Sequence, residues 1–195
     1  MAYTTFYEFC QKWKNLIVQN LPLEILSVVV LCVAILLIKS SLELASNKMD
    51  LEKLREELEI DEGCKYEIYL DHLGYPTFGC GHLVVEHDAE YGWEVGTSID
   101  TVRVHETFEQ DIKTVLSDCA RLYSDFEDLP EEAQRVIANM MFNMGLTRLS
   151  NFKNMKLSVD ARNWDVASDE MVDSKWYYQV PNRAKRLVKR MRNIE

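Results

Sequence analysis

A chain of 195 residues holds one ordinary domain and an appendage, and its 47% hydrophobic and 28% charged residues sit in the globular range. Seven glycines and four prolines disfavour a sandwich or barrel and point to a helix-rich fold. Twenty-two basic against 32 acidic residues leave a net charge of −10, which excludes bulk nucleic-acid binding because phosphates would be repelled on average.

In chain order, Phe6, Phe9, Trp13, Leu16 and Ile17 recur at helical spacing over residues 1–20. They read equally as an interfacial amphipathic helix or as a disordered tail. Residues 25–38 are apolar apart from Ser27. A helix of that length spans ~21 Å, short of a ~30 Å hydrocarbon core. A buried core helix, a cleaved signal and an uncleaved anchor compete for this stretch. It is apolar on all sides, which argues against the first. The 24 residues before it are long for a signal, and no small-residue cleavage pair follows it. An uncleaved transmembrane anchor over residues 21–39 is the favoured reading. Basic residues flank it on both sides, so charge does not settle its orientation. Residues 40–50 read as a linker, and a catalytic domain is expected over residues 51–195.

That domain opens with a helix whose face carries Leu51, Leu54 and Leu58 and which stops at Gly63. Tyr66, Ile68 and Leu70 alternate, a turn lies near Gly74, and residues 77–80 return as a second strand. Asp100 caps a helix with Val104, Phe108 and Ile112. Pro130 begins another helix, with Val136, Ile137, Met140, Met141 and Met144, and Gly145 ends it. Trp164, Val166, Met171, Trp176 and Leu187 fit further short helices. The predicted fold is α+β and mostly helical, with a small hairpin lobe and a helical lobe behind an N-terminal transmembrane helix. The six cations Arg183, Lys185, Arg186, Lys189, Arg190 and Arg192 crowd the last 13 residues. They read first as a solvated face and second as a contact for an anionic polymer or headgroup.

Cleavage of a glycoside needs one protonated carboxyl and one ionised carboxyl across a sugar linkage. Glu62 ends the first helix, where the helix dipole disfavours a carboxylate and partial burial would favour the proton. Asp71 ends the first strand, and a helix turning into a hairpin can bring the two across one cleft. Thr77 on the return strand offers a hydroxyl to a water.

The full pattern is Glu62-Gly63, Tyr69, Asp71, Gly74-Tyr75, Thr77 and Gly79-Cys80-Gly81-His82. It resembles the phage lysozymes of glycoside hydrolase family 24, without insertion. Two further blocks, residues 138–145 and 174–186, follow in order, and the likeness covers roughly residues 51–192. The resemblance implies a two-lobed lysozyme fold and an inverting muramidase acting on the β-1,4 bond of peptidoglycan, with neither cofactor nor metal. Glu62 is then the general acid, Asp71 the carboxylate beyond the sugar, and Thr77 the residue placing the water. A structural ion pair between His82 and Asp111 is expected. Phe142, Asn143 and Arg183 are carried toward the substrate, although Phe142 reads first as packing. Asn143 stands where the family usually has Gln. Arg183 occupies the position whose guanidinium reaches the catalytic Glu in relatives. The stretch from His82 to Asp111 is shorter than in the best-known relatives, which would open the groove, and the C-terminus stops early.

The anchor resembles the signal-anchor segments of phage endolysins. With no Gly and one Ala in residues 28–38, it reads as permanent. The enzyme is expected as a monomer at the host inner membrane, facing the periplasm or wall. Its role is host lysis or wall opening during entry. A catalytically inactive glycan-binding or anchoring protein of the same fold is the alternative. None of Cys10, Cys32, Cys64, Cys80 and Cys119 forms a CxxC pair. Cys64 or Cys80 is a candidate for a disulfide beside the site, exchanging with Cys32; buried free thiols are the competing reading.

Overall fold

The computed structural model describes residues 31–35, 49–71 and 73–195. Residues 31–35 are helical, with Leu31, Val33 and Ile35 exposed, and belong to a unit separate from the rest. The remainder of the expected anchor, the amphipathic stretch and most of the linker lie outside the described residues. Among the described residues no helix is long and apolar enough to cross a membrane.

The second unit begins with α1 (Leu51–Glu62), whose first turn is closed by Asp50 accepting from the Glu52 and Lys53 amides. Leu54 and Leu58, one turn apart, are fully buried, while Leu51 is exposed. Gly63, at φ 64°, ends the helix in the left-handed region that a side chain disfavours. The chain then runs straight into β1 (Lys65–Leu70), β2 (Pro76–Gly79) and β3 (His82–Leu83), an antiparallel sheet in that order. Tyr69 pairs with Thr77 and Thr77 with Leu83, and the register shifts between Lys65 and Tyr69.

The hairpin expected from alternation is therefore one strand larger than predicted. A further edge also forms: the Ile68 and Ile99 amides donate to the Thr97 and Tyr66 carbonyls, and Glu67 bridges Ser98. Of the alternating residues only Ile68 is buried, packed with Phe78, Ile99 and Val104. Tyr66 and Leu70 are about half exposed because this second core is small and ends beneath Ile68.

Helix α2 (Thr101–Leu122), capped by Asp100, leads from the sheet to the helical lobe. There α3 (Glu131–Leu149) packs on α1, α2 and α7 (Pro181–Arg192), and α4 (Lys153–Asp160), α5 (Trp164–Val172) and α6 (Lys175–Gln179) complete the lobe. Gly145 does break α3, at φ 73°, but a short helical stretch resumes beyond it to Leu149. Val136, Ile137, Met140 and Met141 of α3 form the centre of the main core with Leu54 and Leu58. Helix α1 thus precedes the sheet in sequence yet packs on the helical lobe. Ion pairs reinforce that placement: Glu57 meets Arg135 of α3 and lies 2.6 Å from Arg190 of α7. Each of these three side chains is less than a fifth exposed, so removing one leaves partly buried charges unmatched.

Leu58→Ala should therefore lower the unfolding free energy by about 2–5 kcal/mol, read by urea denaturation, because it opens a cavity where α1 meets the core.

Candidate active site

Three helices converge on Glu62, the last residue of α1. Arg183 of α7 donates from Nη1 to Glu62 Oε1 at 2.5 Å. Its Nε donates to the Asn139 Oδ1 at 2.7 Å and its Nη2 to the Asn139 carbonyl at 3.1 Å. Asn139, on α3, returns its Nδ2 to Asp61 Oδ2 at 3.0 Å. Arg186 of α7 grips both oxygens of Asp61, at 2.5 and 2.7 Å. Arg183 is only 7% exposed, and its donors face protein acceptors. The guanidinium thus reaches Glu62, as its position in the family pattern implied.

The opposite wall is the sheet. Asp71 follows β1, and its Oδ1 accepts from the Leu73 and Tyr75 amides, both at 2.8 Å. The Asp71 amide donates to the Tyr75 carbonyl at 3.0 Å. These bonds close the turn and fix where the carboxyl points. Strand alternation puts Tyr69, Asp71, Tyr75 and Thr77 on one face, opposite Ile68 and Phe78. Burial first, then the negative charges of Glu62 and Asp71, raise the Tyr69 phenol above its ordinary pKa. Both carboxyls therefore act on one half-buried side chain. Thr77 is 4% exposed and donates its hydroxyl to the Tyr75 carbonyl at 3.0 Å, which turns its oxygen lone pairs toward other donors.

A disulfide joins Cys64 to Cys80, with Cα atoms 4.2 Å apart. It ties the residue two beyond Glu62 to the Gly-Cys-Gly turn between β2 and β3, and encloses Tyr69, Asp71 and Thr77 within its loop. A Cβ placed on Gly81 would stand 3.9 Å from Glu62 Oε2, so this turn passes directly beside the carboxyl. Cys119 is a buried free thiol and Cys32 an exposed one. Cys10 lies outside the described residues.

His82 lies between two carboxyls. Its Nδ1 is 2.9 Å from Asp111 of α2, and its Nε2 is 3.1 Å from Asp88. Burial opposes a charge on His82, but the hydrogen bonds and charges of Asp111 and Asp88 outweigh it and raise its pKa. Asp88 also accepts from the Val85 amide, and Arg103 forks onto the buried Glu90. These contacts pin residues 84–99.

Phe142 and Asn143 flank one side of α3. Phe142 stacks edge-to-face on Phe108 and lines a cavity of about 320 Å³ with Gly81, His82 and Leu83. Asn143 accepts from the Trp176 indole at 2.8 Å and lines a cavity of about 850 Å³ that reaches Leu73. The first is walled by β3, α2 and α3, and the second runs from α3 and α6 to Leu73 in the β1–β2 turn. Reading the sequence missed Asp61, Asn139 and Asp88, whose residue types are common, and took Arg186 as part of a basic face because its partner Asp61 lies far along the chain. Only the position of Asp61 beside Glu62 offered a signal.

Residues 59–195 match the Phage lysozyme family, well over half of the chain. Probable T4-type lysozyme 1 of Dictyostelium discoideum is 26% identical over 157 residues, covering 71% of this chain and 92% of that protein. Pre-baseplate central spike protein Gp5 of Enterobacteria phage T4 is 27% identical over 152 residues, covering 69% of this chain and 26% of that protein. Peptidoglycan hydrolase gp36 of Pseudomonas phage phiKMV is 30% identical over 144 residues, 74% of this chain and 16% of that protein.

Two measurements check this arrangement. With its cysteines 16 positions apart, the disulfide should contribute about 3 kcal/mol, lost in a Cys64→Ser/Cys80→Ser variant or under reductant in a urea titration. The His82 cluster should stabilise fully below the unfolded pKa of 6.5, and its contribution should fade as pH rises through the higher folded value. The stability gap between the wild type and His82→Asn, measured by urea unfolding, should thus be larger at ~pH 5.5 than at ~pH 9.

Proposed function

This chain belongs to the phage lysozyme family and is a glycoside hydrolase, a muramidase acting on peptidoglycan; we propose that Glu62 and Asp71 carry its chemistry by inversion at the β-1,4 bond between N-acetylmuramic acid and N-acetylglucosamine. The observation that carries the assignment is that Glu62 ends α1 beside the Gly81 turn of the sheet while Asp71, at the end of β1 in that same sheet, has its carboxyl fixed by two backbone amides. Assignment to glycoside hydrolase family 24 is supported by the unbroken spacing from Glu62 to His82.

In the proposed reaction Glu62 gives its proton to the bridging oxygen as the glycosidic bond breaks. The carboxylate left behind is met by Arg183 Nη1, already 2.5 Å away. A donor placed before the charge develops stabilises the transition state without reorganisation. Asp71 accepts the proton of a water that attacks the opposite face of the sugar. That water donates its other hydrogen to Thr77 Oγ1, whose own hydrogen is committed to the Tyr75 carbonyl. Asn143 and Phe142 face the glycan from α3, on either side of the reacting bond.

In this reading the enzyme acts as a monomer. Residues 21–39 anchor it in the host inner membrane with the catalytic domain toward the periplasm or wall, for host lysis. Two observations support that location: the apolar run of residues 25–38 and a disulfide beside the site, since such bonds persist in oxidising compartments. Amphipathic residues 1–20 and linker 40–50 complete the proposed organisation.

Glu62→Gln should reduce the clearing rate of purified cell walls by at least about 100-fold while leaving the melting temperature within a few degrees of the wild type. Wall clearing at the wild-type rate by this variant would remove the assignment.

A further inference from the structure

Arg183 presents a difficulty for an acid catalyst. A guanidinium in contact with Glu62 favours the carboxylate, whereas the reaction needs the carboxylic acid. Across the cleft an ionised Asp71 works in the acid's favour, while the Lys65 ammonium over the Tyr69 ring works against it; neither touches the guanidinium itself. The answer lies behind the site. Asp61 neighbours Glu62 on α1, and its side chain is only 5% exposed. Its Oδ2 lies 3.4 Å from Arg183 Nε, on the flank of the guanidinium that does not face Glu62.

We infer that Asp61 is a positioning residue that shares the charge of Arg183 and so keeps Glu62 protonatable at the pH where the enzyme works. This rests on Glu62 being the general acid. Asn139 supplies the geometry, since one side chain both accepts from Arg183 Nε and donates to Asp61 Oδ2. Burial opposes the ionised form of Asp61. Hydrogen bonds from Arg186 and Asn139, with the charges of Arg183 and Arg186, outweigh it and hold the carboxyl below its ordinary pKa. Asp61 is thus a fixed negative charge rather than a second proton carrier.

Arg186 sets how much of that charge reaches Arg183. It grips both Asp61 oxygens, yet its side chain is 41% exposed, so water weakens its hold. Among the described residues, the groups acting on the Glu62 carboxyl are Arg183 and, through it, Asp61 and Arg186, with Tyr69, the Lys65 ammonium over its ring, and Asp71 across the cleft, and the uncharged Gly81 turn beside it. With Glu62 ionised, Glu62, Arg183, Asp61 and Arg186 sum to zero charge. Removing Asp61 leaves an excess cation beside the acid, and removing Arg186 does the reverse.

The test is the pH dependence of the clearing rate of purified peptidoglycan by the full chain in detergent. A general acid fails as it deprotonates, so Glu62 governs the alkaline limb. Asp61→Asn keeps the shape of the side chain and should move that limb down by on the order of one pH unit. Arg186→Gln should move it up by roughly half a unit. The acid limb, governed by Asp71, should stay where it is in both. A merely structural role for Asp61 would scale the whole profile or lower the melting temperature without moving one limb. If Asp61→Asn does not fold, Arg186→Gln at its half-exposed site decides alone. Alkaline limbs at the wild-type position, with Glu62→Gln inactive, overturn this inference and leave the assignment of Glu62 standing. Wall clearing by Glu62→Gln overturns the assignment itself.

Discussion

The buried guanidinium of Arg183 is the contact on which the rest of the site depends. Removing such a group from water is costly unless its donors are matched. Here they meet a carboxyl on α1 and both the side chain and the carbonyl of Asn139 on α3, while the guanidinium itself rides on α7. Three helices from distant parts of the chain are thereby held at one point. The position of Glu62 is thus a consequence of helix packing. The Glu57–Arg190 contact ties α1 to α7 a second time, five residues back along α1 and seven residues on along α7.

The sheet wall is placed by a different device. Between Glu62 and β1 stand only Gly63 and Cys64, and Gly63 takes a positive φ to turn the chain at once. The Cys64–Cys80 bridge then closes the base of the hairpin against the turn that runs beside Glu62. Asp71 is displaced from Glu62 by one strand of fixed length, and its carboxyl is held by two backbone amides. Neither carboxyl relies on a long flexible segment for its placement, which suits a reaction that needs near-fixed geometry on both sides of a bond.

Residues 84–99 show how a short connection can be made rigid without secondary structure. Asp88 shares His82 with Asp111, and Glu90 is buried against Arg103. The two ion-paired centres fasten this stretch to β3 and to α2. The edge formed by residues 96–99 adds backbone bonds to β1. Charge pairing adds to an apolar burial that in this stretch is carried by Ile99 and, in part, Val84.

Local rules were enough for much of this. Asp50 was not singled out as a cap, but the leucine face of α1, the stop at Gly63, the Asp100 cap and the break at Gly145 were all legible, because each depends on neighbours within a few residues. The spacing from Glu62 to His82 marked the catalytic candidates for the same reason, since one helix end and one hairpin carry them. The Arg183–Glu62 contact and the His82–Asp111 pair were implied only by the family resemblance, and the other contacts across the chain required the tertiary structure. Arg183 reaching Glu62 spans 121 positions and Arg186 reaching Asp61 spans 125, and no periodicity encodes such a pair. The choice of Cys80 for Cys64, the second carboxyl on His82 and the edge strand at residues 96–99 were likewise decided by packing. They are long-range pairings whose energies depend on burial and distance, and neither quantity exists until the chain has folded.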